Sequence, residues 1–260
     1  MPTLELPKPC LEVIDNYFNL KAAEGKYVRC PYFRNPKSGK ERWGLTAYSG
    51  KGSPKEIEEE LRIVEKLEYK DFNILGEEEI RDIMKKRKLG IECSGFIARV
   101  LDAWTKEQYK KPIYSVIRFH RGFVTWLFSK LRPYTHIDIQ TLVNEVNSRE
   151  ISNIGEIMPG DLIRFNTNID HAVIVTRVEV SDQGKVEKVH YAQSVLEDND
   201  AKEGVKRGIV EFIRPQTNNL LEQKWSEEPE TGYTINERGV PKIYRLKFRG
   251  VGFEKNQSRS

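Results

Sequence analysis

The feature that most constrains this chain is a change of hydrophobic period near Asp161. Before it, apolar residues recur at helical spacing. After it they alternate or run in β-branched stretches, at Asp161-Leu162-Ile163-Arg164-Phe165, His171 to Val180 and Val186 to Gln193. Ser181-Asp182-Gln183-Gly184 is a hairpin-type turn, so the strands on either side of it are expected to be adjacent and antiparallel. Gly208 to Ile213 and Ile243 to Phe248 supply two further candidate strands, separated by a polar excursion around Pro229-Glu230-Thr231-Gly232. Helices followed by an antiparallel sheet is the order of an α+β fold.

The N-terminal third reads as helices joined by polar loops. Leu11, Ile14, Tyr17 and Phe18 share one helical face, with Gly25 as the stop, and Cys30 to Lys40 carries too much Pro, Gly and Asn to be regular. Ser53-Pro54-Lys55-Glu56 has the signature of a capping box, and Ile57, Leu61, Val64 and Leu67 form the stripe that follows. A second helix starts at Gly76-Glu77-Glu78-Glu79. Its acids sit at the positive end of the dipole and Lys85-Lys86-Arg87-Lys88 at the negative end, so this basic run reads as a solvated helix end.

The 260 residues suffice for a full core, and 43 basic against 39 acidic residues leave a net charge of only +4 with the signs interleaved. A nucleic-acid partner, which needs a basic stripe, is not expected. Cys10, Cys30 and Cys93 have neither disulfide-framework nor metal-ligand spacing, so no metal and no cofactor is expected. The start lacks a basic segment followed by an apolar one, and no stretch approaches a membrane span, so the expectation is a cytoplasmic chain without a membrane partner. Delivery to the cell exterior or wall by a non-classical route is compatible with the same residues. The oligomeric state is not legible.

The stretch from Gly90 to Trp104 carries the chemistry. Phe96, Ile97, Val100, Leu101 and Trp104 recur at helical spacing, which places Cys93 in the first turn of a helix. Unpaired N–H groups and the dipole there favour an anion, so a lowered thiol pKa is expected. Small neighbours such as Ser94 and Gly95 leave room for a carbonyl group, with backbone N–H groups available as an oxyanion hole. The segment alone is equally compatible with a core cysteine. A thiolate needs a base, and His171 begins a strand after the polar loop Asn166 to Asp170, where its ring can project from a sheet edge. His190, on the paired strand, is placed to orient it. His120 and His136 read as structural.

The ordered set Gly90-Ile91-Glu92-Cys93-Ser94-Gly95-Phe96, Met158-Pro159-Gly160-Asp161-Leu162-Ile163-Arg164-Phe165, His171-Ala172-Val173-Ile174-Val175 and Val189-His190-Tyr191-Ala192 resembles the NlpC-type cell-wall cysteine peptidases. The resemblance implies a papain-like α+β core in which a nucleophile helix packs on an antiparallel sheet. It further implies Cys93 as nucleophile, His171 as base and acid, and His190 as orienting group. The family's acid before the cysteine is Asp, whereas Glu92 stands here. The family's upstream tyrosine segment is missing, with Tyr48 its best remnant and Tyr32 a weaker one.

The expected organisation is a helical extension over 1–75, a catalytic domain over 76–254 with a helical insertion at 105–150, and a frayed tail over 255–260. The insertion includes Phe119, Phe123, Trp126, Leu127 and Phe128, which read as a helix packed on the core. The expected activity is hydrolysis of an amide bond in small peptides through a Cys93 thioester, with peptidoglycan stem-peptide fragments as the implied substrate. An acyltransferase using the same thioester, and a non-catalytic binding module keeping the fold, are the alternatives.

Overall fold

A computed structural model describes residues 3–34, 45–119, 132–165, 170–196, 203–226 and 241–248. His120, the aromatic run from Phe123 to Phe128, the loop from Asn166 to Ile169, the Pro229 excursion and the expected tail lie outside these residues.

The fold is α+β. Among the described residues the strands are β1 (Thr3–Glu5), β2 (Leu20–Ala23), β3 (Lys26–Val28), β4 (Ser148–Ile151), β5 (Leu162–Phe165), β6 (His171–Val180), β7 (Val186–Val195), β8 (Gly204–Glu211), β9 (Lys224–Trp225) and β10 (Lys242–Leu246). The longer helices are α1 (Lys8–Phe18), α2 (Pro54–Glu68), α3 (Glu77–Lys86) and α4 (Cys93–Tyr109). One antiparallel sheet runs β4-β10-β5-β6-β7-β8-β9, and β2 and β3 form a separate hairpin. β6 and β7 pair across the expected turn, with register shifts between Val175 and Arg177 and between Glu179 and Val180. Those bulges strengthen the local twist.

Alternation along the central strands divides the interior in two. Leu162, Ala172, Ile174 and Ala192 face a cluster that contains Phe96, Ile97, Val100 and Leu101 of α4, whereas Ile163, Phe165, Val173, Val175, Val189 and Tyr191 face a second cluster closed by Trp225. Successive residues of β6 therefore serve opposite cores. Its first residue, His171, stands where the sheet ends.

The N-terminal segment is less helical than its sequence suggests. β1 pairs with the far half of β6 in the register Leu4↔Val178, and Cys10, Ile14 and Tyr17 of α1 are buried, with the Tyr17 ring 5.5 Å from that of Phe96. Residues 1–75 thus contribute a strand to the main sheet rather than only helices laid on it. Gly25 does not stop α1, which ends at Phe18; its positive φ of 66° makes the turn between β2 and β3. The capping box on α2 is present, with the Ser53 hydroxyl accepting from Glu56 N and the Glu56 carboxylate accepting from Ser53 N. Leu67 departs from the expected stripe and is exposed.

The described part of the insertion holds the end of α4, the short helical pieces Ile113–Val116, Pro133–His136 and Ile139–Val143, and then β4. Its sequence, Ser-Arg-Glu-Ile, gives no alternation, and β4 pairs on one side only, with β10. β8 begins at Gly204, earlier than the alternation indicated, and Ile213 lies beyond it and exposed.

Candidate active site

The approach to α4 is held by backbone on two sides. Ile91 forms a parallel bridge with Tyr32 and an antiparallel one with Lys51; its N–H donates to Pro31 O at 3.1 Å, and its carbonyl accepts from Phe33 N and from the Ser194 hydroxyl of β7. Glu92 N then donates to Gly50 O at 3.0 Å. The same carbonyl leaves no room for a side chain at residue 95, because a Cβ on Gly95 would lie 2.1 Å from it. Ala is intrinsically the better helix former by about 1 kcal/mol, yet forcing this contact apart carries an overpacking penalty of about 1–3 kcal/mol. Gly95→Ala is therefore expected to lower the midpoint of urea unfolding. A raised midpoint would show that Gly50 yields freely.

Glu92 is the N-cap residue of α4 but offers no side-chain cap. Its carboxylate is turned instead to Lys51 Nζ and accepts the Ser94 hydroxyl at 2.6 Å. Lys51 Nζ also donates to Ser94 Oγ and to the carbonyl of Ile137. The residues before and after Cys93 are thus bridged by one buried ammonium group.

Cys93 is the first residue of α4 and 7% exposed. The backbone N–H groups of Ser94 and of Ala172, the second residue of β6, act on its thiol and lower its pKa. Burial pushes the thiol up to about 12; Glu92 adds to the rise, while Lys51 and the two N–H groups oppose it. The lowering expected from the helix start is present, but desolvation exceeds it. In the resting molecule the group is a thiol.

His171 is 8% exposed, and its Nε2 lies 2.7 Å from Gln193 Oε1 of β7. An amide oxygen accepts only, so Nε2 carries the hydrogen and Nδ1 is the basic nitrogen of the neutral ring. Phe165 stands across from it, ring centroids 6.0 Å apart, and Phe165 in turn meets the Trp225 ring at 5.6 Å. Apolar rings shield the imidazole–amide bond.

His190 is not the partner of His171. It pairs with Arg177, six residues along β6 from His171 and so about 20 Å away at strand rise, and its Nε2 binds Glu179 Oε1 at 2.8 Å. The register explains the displacement. Continuing from Ile174↔Ala192 sets Gln193 opposite Val173, which makes it the diagonal neighbour of His171 on the same face. Counting outward from the Ser181–Gly184 turn is the signal that points to Gln193.

Tyr48 lies in a short 3₁₀ turn, Thr46–Ser49, packed in the core. Tyr32 lies near Cys93 and Glu92, and its hydroxyl is held well above its ordinary range by burial and then by the charge Cys93 would carry if ionised and that of Glu92. His136 sits in the 3₁₀ turn Pro133–His136 just before Ile137.

No family model, curated protein or solved structure matches this chain. Its chemistry has to be read from its own residues. Among the described residues no group of three or more His, Cys, Asp or Glu is placed to hold a metal ion, and no helix is long and apolar enough to cross a membrane. The arrangement joins a thiol at a helix start, the first residues of a neighbouring strand, and an imidazole oriented by a side-chain amide. Nucleophilic attack by sulfur requires such a thiol and imidazole within hydrogen-bond reach of each other.

Proposed function

We propose that the protein is a cysteine amidase or peptidase with a papain-like arrangement of Cys93, His171 and Gln193. The observation that supports this reading is that the Ala172 N–H acts on the Cys93 thiol, while His171, the residue before Ala172, has its imidazole bonded to Gln193. In the proposed reaction Nδ1 of His171 takes the Sγ proton as sulfur bonds to the carbonyl carbon. The carbon–nitrogen bond then breaks and the amine leaves with that proton. Water, deprotonated by the same nitrogen, releases the acid and restores the thiol. The motif resemblance supplies the substrate class, stem peptides of peptidoglycan cut next to D-Glu.

The test is mass-spectrometric detection of products from synthetic stem tripeptides and tetrapeptides. New free amine and acid at the D-Glu bond support both chemistry and substrate class; hydrolysis of simple acyl amides alone keeps the chemistry and discards the class. Gln193→Ala frees the imidazole to rotate. It is expected to lower kcat by about 100-fold, the smaller end of what a positioned base contributes, with KM little changed. An unchanged kcat removes Gln193 from the site.

One observation favours a second reading. A resting thiol that is buried and pushed up to about 12 also suits a non-catalytic protein that retains this architecture. Absence of turnover on every peptide and acyl amide, with binding unaffected by Cys93→Ala, would select it.

A further inference from the structure

Lys51 is 4% exposed, and its ammonium group is out of water. A buried ammonium must have its three hydrogens accepted, and here the acceptors are the Glu92 carboxylate, Ser94 Oγ and Ile137 O. The bridge between Lys51 and Ile91 uses backbone atoms, and apolar side chains of similar volume commonly replace buried ion pairs without loss of stability. What distinguishes the ammonium is its location: it binds Glu92 and Ser94, the two residues that flank Cys93.

The groups around Cys93 come from every side. Glu92 precedes it on the chain; Tyr32 and Arg34, the latter 4.0 Å from Glu92, come from the upstream loop; His171 adjoins Ala172 on β6; Glu203, at the entry to β8, acts on Tyr32. Two of these are carboxylates. Glu203 is paired with Lys85 and acts on Tyr32, so of the charged groups acting on the thiol itself Glu92 opposes a thiolate and Lys51 favours it.

We propose that Lys51 is a positioning residue for Cys93: its ammonium neutralises Glu92 and, through the Glu92–Ser94 clasp, holds the first turn of α4 so that negative charge can form on the sulfur. This rests on Cys93 acting as the nucleophile. Lys51 touches no reacting atom. It works through its field at the sulfur and through Glu92 and Ser94.

The experiment compares the full chain with Lys51→Met, Glu92→Gln and the double variant. The rate of Cys93 alkylation by iodoacetamide is followed from about pH 6 to 10 by the mass of the Cys93 peptide. Cys10 and Cys30, both fully buried, serve as internal controls. Lys51→Met is expected to slow alkylation at neutral pH by about tenfold, one pKa unit, and Glu92→Gln to accelerate it by a similar factor, with the double variant returning close to the parent. A purely structural role would move both single variants in the same direction.

Superposed profiles for Lys51→Met and the parent, or parallel shifts of the two single variants, overturn the proposal. Should Lys51→Met fail to fold by circular dichroism, the comparison of Glu92→Gln with the double variant decides. The proposal requires the double variant to be slower, and equal rates overturn it. Alkylation does not depend on turnover. Peptide hydrolysis retained by Cys93→Ala would refute the amidase reading while leaving the charge series interpretable.

Discussion

Cys93→Ala is expected to abolish peptide hydrolysis and leave the fold intact. The substitution removes one sulfur from the start of α4, and the surrounding Ile91 bridges, the Gly50 carbonyl contacts and the Lys51 cluster use other atoms. Turnover should fall to the background rate, while the thermal midpoint moves by only a few degrees, the shift that about 1 kcal/mol produces in a chain of this size. His171→Ala should lose about 10²- to 10⁴-fold, the range a general base supplies. Residual activity in Cys93→Ala matching the parent would transfer the chemistry elsewhere. The pH dependence has a definite sign. A thiol pushed up to about 12 is protonated through the neutral range, so alkylation of the resting protein should keep rising as pH increases past 9, without a neutral plateau. A plateau at acidic or neutral pH would mean that His171 and Cys93 rest as an ion pair.

The largest stability effect should come from Asp161→Ala. This carboxylate is 1% exposed and accepts two hydrogens from Arg245, at 2.8 Å and 2.7 Å, and one from Met158 N at 2.8 Å. Arg245 lies in β10 between β4 and β5, so the pair ties that strand to the turn from which β5 leaves. Removing one partner of a buried ion pair costs about 3–5 kcal/mol, because the other charge stays out of water without its counter-ion. Urea unfolding should register that loss. Asp161→Leu combined with Arg245→Met should recover a large part of it, since no charge is then buried. A double variant as unstable as the sum of the single ones would show that the two residues act independently.

The motif around Asp161 was legible in the sequence as a strand entry, but its partner was not, since Arg245 reads as one more basic residue in a short strand. The same division runs through the site. Features set by neighbouring residues were readable: the Ser53 capping box, the start of α4 within a residue or so of Cys93, and the β6–β7 hairpin. Features set by register or burial were not. His190 carries the more suggestive side chain, yet Gln193 holds the geometric position, and a bulge together with a diagonal pairing decides between them. Lys51 stands between two glycines, which has the local look of an exposed turn, whereas α4 and the Ile137 segment enclose it. The sign of the thiol shift followed the same rule: the helix start is visible in sequence, and the desolvation that exceeds it is a property of the packed chain.

The pairing of β1 with β6 has a consequence for how the molecule comes to exist. β6 carries His171 at one end and receives residues 3–5 at the other, so a single strand closes the fold and supplies the proposed base. Contacts between such distant parts of a chain form late and slowly, because the intervening segment must first be drawn together. During synthesis Cys93 emerges well before His171. A nascent chain therefore carries its sulfur without the proposed base until β6 has been made, and β10, which pairs with β4 and β5, follows later still.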